Sequence, residues 1–319
     1  MSVDVLCLRA EADFRRAEAL PPAGFHVEYR APDADDVPAL MREARVLLIP
    51  AVGPSIPTEL FEGSSVRFVQ VTGAGLDRLD VPALARLGIT VSNVPGGSNA
   101  AVAEYAVTAA SVLLRQFLWA DADIRAGHYV SSRAQMIAAS LSGLEGLMVG
   151  IIGLGTIGMA VAEAFHARGC RLCYYDPAPR DGNAADRIGA RAASLDDLLF
   201  SADVVTLHVP LLPETRGMIG RRELAVMKPG AILIHAARGG VVDERALAEA
   251  LTSGRLGGAA VDVYSTEPPP ADHVLLQLTG DAARRLLLTP HIAGVTRQSA
   301  AFLLRSAWQK VQAALEAGR

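Results

Sequence analysis

Three segments in the second half of this 319-residue chain have the residue types and spacing to do chemistry. They are Gly153-Leu154-Gly155-Thr156-Ile157-Gly158, then Arg238-Gly239-Gly240, then Glu267 followed by His291. The first is a dinucleotide cradle if a strand enters it and a helix leaves it. Gly153 then makes the tight turn, Gly155 lets the backbone approach a pyrophosphate, and Gly158 lets helix and strand pack closely. The first N–H groups of the helix face the phosphates. An arginine presents a planar fork that matches a carboxylate. A histidine beside a carboxylate is held in one tautomer, as an acid/base for a hydroxyl–carbonyl interconversion must be. These groups suffice to bind an acid and move a proton.

The elements that must position them read as follows. A buried strand from Met148 runs into the glycine loop, and Met159–Arg168 forms the helix that leaves it. Asp176 ends the next strand, Arg171–Tyr175, where its carboxylate would meet a ribose 2′-hydroxyl and repel a 2′-phosphate. NAD is therefore favoured over NADP, with Arg180 near enough to matter and Pro177 and Pro179 constraining its approach. A glycine turn that binds nothing and a methyltransferase loop are the rival readings of this segment. Further strands are expected at Asp203–His208, Ala231–His235, Gly258–Val263 and Leu286–Leu288, giving a doubly wound parallel sheet. Arg238, Asp262, Glu267 and His291 all follow strands, at the edge where such folds bind ligands. Taken singly, Arg238 could pair with Asp243 or Glu244, and Glu267 could be a solvated turn carboxylate. His26, His128, His166 and His273 read as surface residues, and His208 as facing the cofactor side without doing chemistry.

The first hundred residues form a small βα domain. Val3–Leu8, Val46–Pro50 and Val66–Thr72 are apolar on both faces, as buried parallel strands are. Helices are expected near Ala10–Leu20, Val37–Arg45, Pro57–Phe61 and Val81–Leu87. Asn99–Ala126 reads as one helix of about seven turns, capped by Ser98 or Asn99, connecting into the second domain. The last helix is Ser299–Leu315.

Hydrophobic residues make up 51% and charged residues 20%, with net charge −4, an ordinary globular composition. The slight acidic balance and the absence of a basic run argue against nucleic acid or an anionic membrane as partner. No apolar stretch is long enough to span a bilayer, and the N-terminus lacks the features of a secretory signal. Three cysteines are too few for a disulfide framework, so a reducing cytoplasm is expected. Cys170 and Cys173 form a lone CxxC whose spacing puts them on opposite faces of a strand, a structural arrangement. No metal is expected.

At this point the chain resembles the D-isomer-specific 2-hydroxyacid dehydrogenase family. The resemblance runs from about Val46 to the last helix. It is carried by Thr72-Gly73-Ala74-Gly75-Leu76-Asp77, Ala103-Glu104-Tyr105-Ala106, Gly153–Gly158, and Leu207-His208-Val209-Pro210-Leu211 with Thr215. Ala237–Glu244, Val261-Asp262-Val263, Glu267-Pro268 and Thr289–Gly294 complete it. It implies two doubly wound domains. A flavodoxin-like substrate domain would span residues 1–98 plus 294–319, and a Rossmann cofactor domain residues 99–293, with the active site in the cleft and a homodimer formed largely through cofactor domains. By the same resemblance Arg238 binds the substrate carboxylate and polarises the carbonyl, His291 is the acid/base, and Glu267 is its partner. The N–H groups of Ala74 and Gly75 hold the substrate carboxylate, and Asp262 meets the nicotinamide carboxamide. Val209, Pro210, Thr215, Ala236, Ala237 and Gly294 line the cofactor, with Leu154, Thr156 and Ile157 of the glycine loop.

One departure stands out: family members commonly have asparagine where this chain has His235, three residues before the arginine. Histidine could tie down the same loop through a ring nitrogen, or alter it. The implied activity is an NAD-dependent interconversion of a D-2-hydroxy acid and its 2-oxo acid. Val46–Val66 contains no lysine or arginine, which disfavours a phosphorylated acid. Glyoxylate, hydroxypyruvate, pyruvate or a larger apolar 2-oxo acid remain open, and the short C-terminus leaves no room for a regulatory domain. Two alternatives stand beside this: a non-catalytic NADH-sensing protein, and a dehydrogenase of phosphite or formate on the same scaffold.

Overall fold

The structure is a computed structural model and describes residues 3–178 and 182–317. The chain divides into two compact units, Met1–Ser98 with Val295–Arg319, and Asn99–Gly294. The first unit begins β1 (Val5–Cys7), α1 (Glu11–Arg16), β2 (Val27–Tyr29), α2 (Val37–Met41) and β3 (Val46–Ile49). A 3₁₀ turn over Thr58–Phe61 follows, then β4 (Phe68–Val71), α3 (Val81–Arg86) and β5 (Thr90–Ser92). All five strands are parallel in the order β2-β1-β3-β4-β5, the flavodoxin-like arrangement. β1 and β3 are buried on both faces, which their unbroken apolar runs dictate. β2 and β5 lie at the edges and are only partly buried, so their weak apolar signal did not mark them as strands.

The second unit opens with α4 (Asn99–Leu114), α5 (Phe117–Arg125) and α6 (Tyr129–Ala138). The single long helix expected over 99–126 is therefore two. The break is at Gln116, whose backbone is left-handed at φ 53 and ends α4 without a proline or glycine to announce it. Next come β6 (Met148–Ile152), α7 (Thr156–His166), β7 (Arg171–Tyr175), α8 (Gly182–Arg187), β8 (Arg191–Ala192) and α9 (Leu195–Ser201). The remainder is β9 (Val204–Leu207), α10 (Arg221–Val226), β10 (Ile232–His235), α11 (Glu244–Thr252), β11 (Gly258–Val261), α12 (Gly280–Arg284) and β12 (Leu286–Leu288). The seven strands are parallel in the order β12-β11-β10-β9-β6-β7-β8. The strand order reverses between β6 and β9, and that switch point opens the crevice where such sheets bind ligands.

Each face of this sheet carries its own core. One includes Ile152, Leu198, Val205, Leu233 and Leu247; the other includes Ala106, Val149, Ile151, Val161 and Phe165. Cys173 belongs to the first and Cys170 to the second. Alanine-rich α4 packs closely on α7, where small side chains permit the approach. The final helix, α13 (Arg297–Ala317), returns to the first unit. It buries Leu304, Trp308, Val311 and Leu315 with Phe14 and Val46. The Trp308 and Phe14 rings are 5.4 Å apart. Among the described residues no helix is long and apolar enough to cross a membrane.

Truncating a large buried aromatic typically removes about 3–5 kcal/mol. Trp308→Ala should accordingly lower the urea midpoint of the transition that reports the first unit. An unchanged midpoint would mean that α13 does not complete that core.

Candidate active site

The glycine loop joins β6 to α7, and each glycine answers a different constraint. Gly153 has φ 92, and a Cβ there would lie 2.7 Å from the His208 carbonyl oxygen. A Cβ on Gly158 would fall 1.9 Å from the Gly153 carbonyl oxygen, so the helix can begin only where no side chain stands. At Gly155, the N-cap of α7, a Cβ would meet nothing within 4 Å. The space beyond Gly155 is open, and the unpaired N–H groups of the first helical turn face it. Asp176 Oδ2 accepts from Leu154 N at 2.8 Å and Oδ1 from Ala178 N at 2.9 Å, so the acid also ties down the loop. An open glycine position, a free helix N-terminus and a carboxylate at the end of β7 fit the pyrophosphate and ribose of a dinucleotide. Arg180 and Pro179 lie outside the described residues.

The loops after β9 and β10 extend this edge. Val209 packs on Gly153, with its Cγ1 2.8 Å from the position a Cβ there would take. Thr215 is 4% exposed, and its Oγ donates to the Pro210 carbonyl at 2.6 Å and accepts from Leu212 N at 2.8 Å. Its hydroxyl shapes the 209–215 loop. Pro210 is exposed, while Ala236 and Ala237 are partly and fully buried.

Arg238 lies in the turn after β10, with Nη1 donating to its neighbour's Ala237 carbonyl at 2.7 Å. Asp243 and Glu244 also have partners of their own. Asp243 caps α11 by accepting from Arg245 N and Ala246 N. Glu244 accepts from Ser265 N at 2.8 Å and faces His273 Nε2 at 3.0 Å. Gly239 is pressed so closely on the loop after β11 that a Cβ would lie 1.8 Å from the Tyr264 carbonyl oxygen. The arginine turn and the loop carrying Glu267 are thus stacked backbone on backbone.

His291 and Glu267 meet directly, Nδ1 to Oε2 at 2.8 Å. The other oxygen of Glu267 accepts from Tyr264 N at 3.0 Å. A carboxylate facing Nδ1 places the proton there and leaves Nε2 as the working nitrogen. His291 has φ 54, a left-handed conformation histidine adopts more readily than most residues. What holds it there is Asp262. The backbone oxygen of Asp262 accepts from His291 N at 2.8 Å. Its carboxylate accepts from Thr289 Oγ at 2.6 Å, Ile292 N at 2.8 Å and Ala293 N at 2.8 Å. Asp262 is 0% exposed. Its carboxylate thus holds the histidine loop from within.

Two tyrosines to which the sequence assigned no role, Tyr105 and Tyr264, support Thr289. Because Thr289 spends its proton on Asp262, Tyr105 must donate to Thr289 Oγ, at 2.7 Å. Burial pushes the Tyr105 phenol up to about 12, so it keeps that proton. The Tyr264 hydroxyl donates to the Thr289 carbonyl at 3.0 Å. His273, expected at the surface, is instead largely buried between Glu244 and the edge of the Tyr264 ring, and braces the Glu267 loop. No periodic signal distinguishes it from an exposed histidine.

In the first unit, Ala74 and Gly75 follow β4, and their N–H groups have no partner among the described residues. The Ala74 carbonyl accepts from Asn93 Nδ2 at 2.6 Å. Among the described residues no group of three or more potential ligands could hold a metal.

His208 and His235 sit side by side at the ends of β9 and β10. Burial pushes each imidazole down to about 3, His235 also through His208. The Nδ1 atoms of both are buried without partners among the described residues. His235 therefore does not tie down the arginine loop through that nitrogen.

A model of the D-isomer specific 2-hydroxyacid dehydrogenase NAD binding domain matches residues 107–293. The D-3-phosphoglycerate dehydrogenase of Mycobacterium tuberculosis is 36% identical over 94% of this chain and 54% of its own length. The chain thus spans about half of that relative. The (S)-sulfolactate dehydrogenase of Chromohalobacter salexigens is 40% identical over 73% of this chain and 72% of its own. The D-lactate dehydrogenase of Aquifex aeolicus, solved with NAD and lactic acid, superposes with a TM-score of 0.83 at 25% identity, covering 98% of this chain and 95% of that one.

The buried histidines generate a test. Both stay neutral in the folded state, whereas the unfolded chain takes up their protons below about pH 6.5. Their contribution to stability is complete above that pH and is lost on acidification toward 3, at up to about 1.4 kcal/mol per pH unit for each. Urea midpoints should fall from pH 6.5 to 4.5, and His235→Asn should flatten the slope. Equal slopes in the two proteins would contradict the buried neutral state.

Proposed function

The chain belongs to the D-isomer specific 2-hydroxyacid dehydrogenase family, and we propose that it interconverts a D-2-hydroxy acid and its 2-oxo acid with NAD(H), acting in the cell as a 2-oxoacid reductase. The observation that carries this reading is the His291–Glu267 pair, 2.8 Å apart on a loop built to hold it. A sensor of NADH would have no use for an oriented acid/base.

The second unit would hold the cofactor, with Gly153–Gly158 and the start of α7 at the pyrophosphate and Asp176 at the ribose. A carboxylate there favours NAD over NADP, whose 2′-phosphate it would repel. Bound nicotinamide supplies the hydride that C2 of the substrate receives. His291 gives its proton from Nε2 to the substrate oxygen as negative charge develops, and Glu267 fixes the ring through Nδ1. Arg238 binds the substrate carboxylate and stabilises the same developing charge, a preorganised electrostatic contribution of the kind that often dominates catalysis. In the first unit, which would be the substrate domain, the free N–H groups of Ala74 and Gly75 suit a carboxylate. Asp262, Tyr105 and Tyr264 position without touching the substrate. Glyoxylate and hydroxypyruvate are the simplest substrates in keeping with these groups.

A homodimer is part of the reading. α5 and α6 expose Phe117, Leu118, Tyr129, Val130 and Ile137, with Val130 80% exposed, a contiguous kind of apolar face that marks protein contacts. Three buried cysteines, all unpaired, suit a reducing cytoplasm.

His291→Ala should reduce kcat for 2-oxo acids by about 10²–10⁴-fold while the NADH dissociation constant changes little. Survival of full turnover would remove His291 as the acid/base. In sedimentation the wild type should run as a dimer, and Val130→Glu with Ile137→Glu should shift it to monomer; a wild-type monomer would exclude the proposed assembly.

A further inference from the structure

Arg78 has no part in the chemistry assigned so far, and its surroundings are unusual. It lies in the first unit between β4 and α3 and is 5% exposed. Nε donates to the Pro54 carbonyl at 2.7 Å and Nη1 to the Pro50 carbonyl at 2.8 Å. The Arg78 carbonyl accepts from Ile56 N at 2.8 Å. Among the described residues it has no carboxylate partner, and burial alone pulls the guanidinium below the usual arginine range. A buried charge without a counter-charge is costly, so the loop it binds must be held firmly for a reason.

That loop, residues 50–54, follows β3 at the carboxyl edge of the sheet, beside the β1–β3 switch point. Pro50 and Pro54 fix their own φ and offer only carbonyls. Gly53 has φ 138, and a Cβ there would stand 3.1 Å from Arg78 Cζ. The loop lies on the segment after β4: a Cβ at Gly73 would come within 2.7 Å of Ala51 Cβ. The next two residues are Ala74 and Gly75. The guanidinium therefore fixes where Ala51 and exposed Val52 stand relative to those two N–H groups. Every side chain in the loop is apolar or absent: Pro50, Ala51, Val52, Gly53, Pro54.

We propose that Arg78 is a positioning residue that holds the Pro50–Pro54 loop as an apolar wall beside the Ala74–Gly75 N–H groups, selecting 2-oxo acids with an uncharged, apolar side chain. The inference rests on the reading above that these N–H groups hold the substrate carboxylate. Its rival is that the buried guanidinium awaits an anionic substrate tail. Against that, two of its three nitrogens already serve the loop.

The test is NADH-dependent reduction of glyoxylate, 2-oxobutyrate, 4-methyl-2-oxopentanoate and 3-phosphonooxypyruvate by the full chain and its Arg78→Met, Arg78→Lys and Gly53→Ala variants. The wild type should prefer the apolar acids to the phosphorylated one by at least about tenfold in kcat/KM, as a fitted pocket does. Arg78→Met should raise KM for the two apolar acids about tenfold or more, with kcat within about threefold, since only ground-state placement is lost. Glyoxylate has no side chain to meet the wall, so its KM should stay within about threefold. Arg78→Lys, which can reach one carbonyl but not both, should recover part of the loss. Gly53→Ala, which keeps the arginine but crowds it, should reproduce the same substrate-dependent shift and covers the case in which Arg78→Met does not fold. Equal losses on all four acids, or a wild type that prefers the phosphorylated acid, would overturn the role of Arg78 and leave the 2-oxoacid reductase reading intact. Silence of the wild type on all four would overturn both.

Discussion

The carboxylate of Asp262 receives three hydrogen bonds from the loop that presents His291, and its backbone oxygen receives a fourth from His291 itself. A charged group with no exposed surface is tolerable only when its lone pairs are occupied, and here the occupants all belong to one five-residue stretch. The need to satisfy that charge therefore specifies the loop. Removing one donor would leave the carboxylate short, and removing the carboxylate would strand three donors. The left-handed backbone at His291 persists because its neighbours on both sides are pinned in this way. Thr289, Tyr105 and Tyr264 extend the same logic outward, each with its proton committed in one direction.

The candidate site in this chain is thus assembled from strand ends that lie far apart in sequence. β10 delivers Arg238, β11 delivers Asp262 and Glu267, and β12 delivers His291, and these three strands are neighbours in the sheet. Parallel pairing puts all their carboxyl ends on one edge. Close backbone contact then does the fine placement: Gly239 against Tyr264 sets the arginine turn on the glutamate loop, and Glu244 with His273 braces that loop from α11. Side-chain size matters most at the positions that have none.

Much of this was legible in the residues. The doubly wound class, the glycine loop and the central strands followed from unbroken apolar runs and their punctuation, and β7 and β12 agree with their expected bounds. The pairing of His291 with Glu267 was expected from motif, and the structure brings them together. Edge strands β2 and β5 were not legible, because a half-exposed strand carries no apolar run. Nor was the break at Gln116, where an ordinary residue takes a left-handed conformation. The internal partners of Asp262, Thr215 and His273 were not legible, for one reason. Each is a polar residue whose hydrogen bonds are spent inside its own framework, and sequence shows a polar side chain without showing which way it is satisfied. Arg78 was not legible for the complementary reason: it lies outside Val46–Val66, yet folds back onto that stretch.

The return of α13 to the first unit has a bearing on biogenesis. Leu304, Trp308 and Leu315 complete a core whose other members, Phe14 and Val46 among them, belong to the first strands and helix to be translated. On the ribosome, Asn99–Gly294 can close its own hydrophobic layers while the first unit still lacks one wall. The order of synthesis therefore leaves the face of the first unit that α13 covers open until the last residues emerge.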